Sequence, residues 1–150
     1  MTMKISVAES AGFCFGVERA VKLLEKAIED HGADIYTIGP IIHNPQIIRQ
    51  MSERGVKIAD TPADLPDGAV AVVRAHGLPK GDYEVLRSKA SCVIDTTCPF
   101  VAKIHRIVEK VSRENQIVLI GGDANHPEVM GIRSFAPQDR CFVLDRKSVV

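Results

Sequence analysis

Six residues carry side chains suited to chemistry and recur in one kind of setting: Cys14, His43, His76, Cys98, His126 and Glu128. Cys14 sits in Ala11-Gly12-Phe13-Cys14-Phe15-Gly16-Val17, between two glycines and two phenylalanines. Upstream, Lys4-Ile5-Ser6-Val7-Ala8 alternates polar and apolar as a strand does. Downstream, Val17, Ala20, Val21, Leu24, Ala27 and Ile28 recur at helical spacing. Cys14 is therefore predicted at a strand-to-helix turn, where free N–H groups and the positive end of the helix dipole favour the thiolate. That is the form that ligates metal or attacks an electrophile, and the glycines let the backbone approach a bound group. A small apolar cysteine filling a core is the competing reading, which the other residues must decide.

Those residues repeat the setting. Val93-Ile94 leads into Asp95-Thr96-Thr97-Cys98-Pro99, and Pro99 signals a helix marked by Val101, Ile104, Val108 and Val111. Asp34 to Gly39 reads as a short strand running into His43, after which Asn44 is a good N-cap and Pro45 a good first helical residue. That helix carries Ile47, Ile48 and Met51 and ends at Gly55. Ala69-Val70-Ala71-Val72-Val73 is a continuous apolar run, the pattern of a strand covered on both faces, and empties into Arg74-Ala75-His76-Gly77 before a helix with Tyr83, Leu86 and Arg87. Ile117 to Ile120 reads as a buried strand ahead of His126-Pro127-Glu128, which opens another helix. Cys141-Phe142-Val143-Leu144 is the last strand, and Asp60 to Gly68, rich in proline and acids, is a surface loop with room for a helical turn.

Strands alternating with helices predict an α/β fold with mostly parallel sheets, in which ligands bind beyond the carboxyl ends of strands. Cys14, His43, His76, Cys98 and His126 are all predicted there. One histidine at a strand end is usually a capping residue; five such residues together point to a site. The repeated unit of strand, loop, Cys or His, and helix suggests related α/β lobes facing one centre. Cys14 and Cys98 lie far apart with no C-x-x-C pair, which argues against a zinc ribbon and ferredoxin-type spacing, though separate strand ends can deliver thiolates to one cluster. Histidines among Gly, Asn and Thr suit an oxyanion such as phosphate, and Glu128 is a candidate proton donor. His31 and His105 are expected on helix surfaces or ends, and Cys92 and Cys141 as small buried thiols in strands.

The whole chain narrows the classes. Its 150 residues suffice for one domain or two small ones. Nineteen basic residues balance nineteen acidic ones, so no overall field recruits nucleic acid or an anionic membrane. The apolar runs are too short to span a bilayer, and Lys4 and Glu9 interrupt any signal peptide, so a cytoplasmic location is expected. In that setting four cysteines are expected as free or metal-bound thiols.

Taken together, the Cys14 stretch, Gly39-Pro40-Ile41-Ile42-His43-Asn44-Pro45, Arg74-Ala75-His76-Gly77, Asp95-Thr96-Thr97-Cys98-Pro99 and His126-Pro127-Glu128-Val129 resemble the 4-hydroxy-3-methylbut-2-enyl diphosphate reductase family. The resemblance runs from about Lys4 to the end of the chain. It implies the last step of the methylerythritol phosphate route to isoprenoids, in which two electrons and protons remove the substrate hydroxyl to give isopentenyl and dimethylallyl diphosphates. It implies a 4Fe–4S cluster held by three cysteines between three α/β lobes, leaving one iron open. It also implies an electron donor protein such as ferredoxin or flavodoxin, and no nucleic-acid or membrane partner. Carried over by motif, Cys14 and Cys98 become cluster ligands, His43, His76 and His126 contact the diphosphate, and Glu128 joins the proton path.

In the family the third cysteine belongs to a later motif, and Cys141 does not lie in that motif. The chain is therefore expected to be the N-terminal portion: residues 1–13 an N-terminal strand leading to the cluster turn, 14–97 a first lobe, 98–150 an incomplete second lobe, and the third lobe absent. Two other classes compete: a zinc-dependent hydrolase with Cys and His ligands, which would be colourless, and a non-catalytic phosphate- or metal-binding module, which would never accept electrons.

Overall fold

The computed structural model describes residues 3–145 apart from Ser10 and Ala33. Two parallel sheets with helices make an α/β fold. The first sheet holds β1 (Ile35–Ile38), β2 (Lys57–Ala59), β3 (Val70–Val73) and β4 (Cys92–Asp95) in the order β2-β1-β3-β4. The second holds β5 (Val118–Gly121) and β6 (Cys141–Leu144). The helices are α1 (Phe15–His31), α2 (Pro45–Glu53), α3 (Lys80–Lys89), α4 (Pro99–Arg113) and α5 (Pro127–Arg133). Among the described residues no helix is long and apolar enough to cross a membrane.

The apolar run at Val70–Val73 occupies the centre of the first sheet and is buried on both faces. Val70 and Val72 pack with Ala20, Leu24, Ala27 and Met51 from α1 and α2, while Ala71 and Val73 pack with Leu65, Leu78 and Leu86 on the α3 side. Consecutive residues serving opposite layers explain why this strand is continuously apolar rather than alternating. Asn44 caps α2 as expected, its Oδ1 accepting from the main-chain N–H groups of Gln46 and Ile47 at 3.0 and 3.2 Å, with Pro45 at the first helical position.

The connections place a crevice. From β1 the chain crosses through α2 to β2, and from β3 through α3 to β4. β1 and β3 are neighbours whose exits lead to opposite edges of the sheet and, by the packing of α2 and α3, to opposite faces. That is a topological switch point, where the two loops part and leave room for a ligand.

Three local expectations differ from the structure. Residues 4–8 form no strand: among the described residues they pair with no other segment, and Ile5 and Val7 are 81% and 80% exposed. Alternation is a property of one segment, whereas a strand needs a partner. β5 is covered on one face only, Ile117 and Leu119 remaining 67% and 64% exposed beside Phe142 and Leu144. β2 was not expected from the sequence; it is a three-residue edge strand, and Lys57 and Ile58 are exposed.

Candidate functional site

His43 follows β1 and His76 follows β3, on either side of the switch point. Their ring centroids are 4.5 Å apart. His126, after β5 in the second sheet, completes a triangle with centroids 6.0 Å from each. The three histidines predicted at separate strand ends are thus brought together.

Main-chain hydrogen bonds hold the loops in register past the ends of the strands. Ala75 N donates to Ile41 O at 3.1 Å, and Cys98 N donates to Ala75 O at 2.9 Å. The ladder of β1, β3 and β4 therefore continues through the His43 loop, the His76 turn and the Cys98 turn. Thr96, fully buried, donates its hydroxyl to Val73 O at 2.5 Å, and Thr97 N and Oγ1 both donate to Asp95 Oδ1. Arg19 on α1 reaches across, its Nη1 donating to Thr97 O at 3.2 Å.

Cys14 and Cys98 are the N-cap residues of α1 and α4, and neither side chain makes a capping hydrogen bond. Both thiols are free, Cys14 exposed and Cys98 half-buried. Gly16, in the first turn of α1, shows how near the two turns lie: a Cβ there would stand 2.5 Å from Cys98 Sγ. Only glycine lets the Cys98 thiol rest on the turn that follows Cys14. Phe13, Val17, Ile42, His43, Asn44, Ala75 and His76 line a cleft of about 280 Å³ that runs from beside the Cys14 turn to His43 and His76. Among the described residues no group of three or more His, Cys, Asp or Glu side chains is arranged to hold a metal ion.

The histidines differ electrostatically. Burial, with smaller contributions from His43, Arg74 and His126, lowers the His76 pKa to about 4, so its ring is neutral at pH 7. His126 caps α5, its Nδ1 accepting from Glu128 N at 3.2 Å. An Nδ1 that accepts puts the neutral ring's proton on Nε2, which is then free to donate. Glu128 is half-buried and fixed to His126 through that main-chain bond.

Arg74, to which sequence reasoning gave no role, packs beneath the His43 loop. Its Nε donates to Gly77 O at 3.3 Å, and its Nη1 occupies the space a Cβ on Gly39 would need, at 2.6 Å. The signal was a glycine at the end of β1 with an arginine three residues before another glycine, too common a pattern to single out. His105 is also not where it was expected: it is buried beneath the His76 turn rather than on a helix surface. Of the remaining cysteines, Cys141 is buried as expected, whereas Cys92 is only half-buried because β4 is an edge strand.

The chain is similar to known proteins along most of its length. The family model described as LytB protein matches residues 5–150. A 4-hydroxy-3-methylbut-2-enyl diphosphate reductase from Aquifex aeolicus is 44% identical over 127 residues, covering 85% of this chain and 44% of its own length. One of the same name from Alkaliphilus oremlandii is 43% identical over 148 residues, covering 98% of this chain and 53% of its own. The structure of the E-1-hydroxy-2-methyl-but-2-enyl-4-diphosphate reductase from Plasmodium falciparum superposes with a TM-score of 0.85 at 31% identity, covering 91% of this chain and 42% of that one. The chain spans about half the length of the curated relatives it matches. With a family match over nearly every residue and the same α/β fold, the chain belongs to the LytB protein family.

Proposed function

We propose that this chain forms part of an enzyme that reductively dehydroxylates 4-hydroxy-3-methylbut-2-enyl diphosphate, giving isopentenyl and dimethylallyl diphosphates. The observation that carries the reading is the meeting of His43, His76 and His126, from three strand ends and two sheets, beside the Cys14 and Cys98 turns. The names of the relatives supply the substrate.

Two uncommitted thiols at adjoining helix starts, with a glycine clearing the space between the turns, fit as ligands of an iron–sulfur cluster. Cys14 and Cys98 would hold it, with a third ligand from outside the described residues. Bound there, such a cluster supplies electrons and a Lewis-acidic iron for the substrate oxygen. An electron donor protein of the ferredoxin or flavodoxin kind fits that role.

The chain's own residues bind and orient. His126, whose Nδ1 accepts from Glu128 N, offers its Nε2–H to the diphosphate. His76, whose positive form is disfavoured by burial, takes a proton more readily once an anion stands beside it. His43, exposed at the cleft, completes the contact. In the balanced reaction the C–O bond breaks, two electrons and two protons enter, and the hydroxyl leaves as water. Glu128 delivers the proton to that hydroxyl, and Phe13 beside the cleft limits water at the reacting end. The division is of anchoring by histidine and protonation by carboxylate.

The test is anaerobic turnover of the diphosphate by the complete gene product with a strong reductant, for wild type and His43→Ala. Wild type should release both isomeric diphosphates, and His43→Ala should weaken binding of the diphosphate far more than of the matching alcohol. Absence of turnover in cluster-loaded wild type, or equal loss for both ligands, contradicts the proposal.

A further inference from the structure

His105 lies seven residues after Cys98, on the buried stripe of α4 with Val101, Val108 and Ser112. Its side chain is 5% exposed, and its ring stacks on Phe135 with centroids 4.3 Å apart and planes 18° from parallel. Gly77 makes room for it, and Gly131 lies against it at ordinary contact distance. A Cβ on Gly77 would stand 2.9 Å from its Cε1, and one on Gly131 would stand 3.6 Å from its Nε2. Gly77 directly follows His76, with φ +73°. Gly131 belongs to α5, the helix that His126 caps. The imidazole is therefore a wedge between the turn that carries His76 and the helix that carries His126.

The wedge is costly, which argues that its shape matters. Among the described residues His105 Nε2 is buried with no hydrogen-bond partner, an arrangement that lowers stability. Burial lowers the ring's pKa, with Asp95 opposing, so a charge is no part of its task. Other contacts also join these elements: Lys80 N donates to Ser134 Oγ at 2.8 Å at the far end of α5 from His126, and a Cβ on Gly131 would stand 3.8 Å from Leu78 O and 3.9 Å from His76 O. The His105 ring is the side chain that lies against both Gly77 and Gly131.

We propose that His105 is a positioning residue: its ring sets the spacing of His76 and His126, and so the ability of the histidine cluster to grip a diphosphate, while touching neither diphosphate nor cluster. The proposal rests on the reading of the three histidines as an anion site. A displacement of the order of 1 Å in a binding group can cost tenfold or more, so small errors in this wedge should be felt.

The test compares wild type, His105→Ala, His105→Phe and His43→Ala in the complete, cluster-loaded protein. Crystal structures without ligand read the spacing, and titration with inorganic pyrophosphate reads the grip. His105→Ala should let the His76 turn and α5 relax into the vacated space, shifting the His76–His126 centroid separation from 6.0 Å, and weaken pyrophosphate binding about tenfold, with cluster absorbance retained. His105→Phe, which keeps the ring and its stacking but has no nitrogen, should restore the spacing and bring affinity to within about threefold of wild type. A structural role alone would lower melting temperature without this selective loss and rescue. If His105→Ala does not fold, His105→Leu replaces it with the same expectation. Unchanged spacing in the small variant, or a Phe variant as defective as Ala, overturns the wedge. If the spacing changes as expected but pyrophosphate affinity is unaffected even in His43→Ala, the wedge stands as a spacer, and its role in diphosphate binding falls together with the anion-site reading.

Discussion

At the scale of single residues, histidine chemistry dominates. His76 has a folded-state pKa of about 4 against an ordinary value of 6.5, and burial lowers that of His105 as well. Between those values the unfolded chain takes up protons that the folded chain refuses. The stability this contributes is fully present above about pH 6.5 and is lost as pH falls through the folded value near 4. Denaturant midpoints measured at pH 7, 5.5 and 4.5 should fall in that order, and His76→Phe should flatten the decline; an equally steep decline in that variant would assign the effect to other groups. Glu128→Gln keeps shape but cannot deliver a proton. It should retain cluster and substrate binding yet turn over about 10²–10⁴-fold more slowly, and near-normal turnover would remove Glu128 from the mechanism.

At the scale of elements, the site is a set of turns that follow strand ends, joined by the start of α1, which no strand precedes among the described residues, and glycine decides how closely they approach. Gly16→Ala puts a methyl 2.5 Å from Cys98 Sγ, so the thiol or the helix must move. Cluster absorbance should fall while helix content is unchanged, and a fully loaded variant would mean the two turns are less tightly coupled than described. Removing the Asn44 cap should cost about 1 kcal/mol without touching the cluster, read from denaturant midpoints of Asn44→Ala.

Much of this scale is legible in the sequence, because caps and two-sided burial are local signatures: Asn44-Pro45 opens α2, and the Val70–Val73 run sits between two layers. What misleads is what depends on partners. Lys4–Ala8 alternates like a strand but pairs with nothing among the described residues, and β2 is too short and exposed to leave an apolar pattern. In α4 two neighbouring apolar stripes compete, one through Phe100, Ile104 and Ile107 and one through Val101 and Val108. Only packing reveals that the second faces inward, carrying His105 with it. That the three histidines converge follows from their shared place after strands, but their 4.5–6.0 Å spacing follows from the switch point and the wedge, which no local pattern encodes.

At the scale of the whole molecule, the described residues present two thiols to the site and leave Leu119, Phe142 and Leu144 uncovered on one face of the second sheet. Parallel sheets are normally covered on both faces, and a cluster held by two thiolates is labile. Residues 1–150 purified alone should therefore fold at least in the first sheet, bind iron substoichiometrically and show no turnover. Turnover by a preparation confirmed by mass to end at Val150 would require a third ligand within these residues. The central claim is that Cys14 and Cys98 ligate one cluster beside the histidines. Anaerobic reconstitution of Cys14→Ser and Cys98→Ser in the complete gene product, with iron content and visible absorbance measured against wild type, tests it most directly. Each change should remove most of the cluster absorbance, and full iron content with an unaltered spectrum in both variants would contradict it.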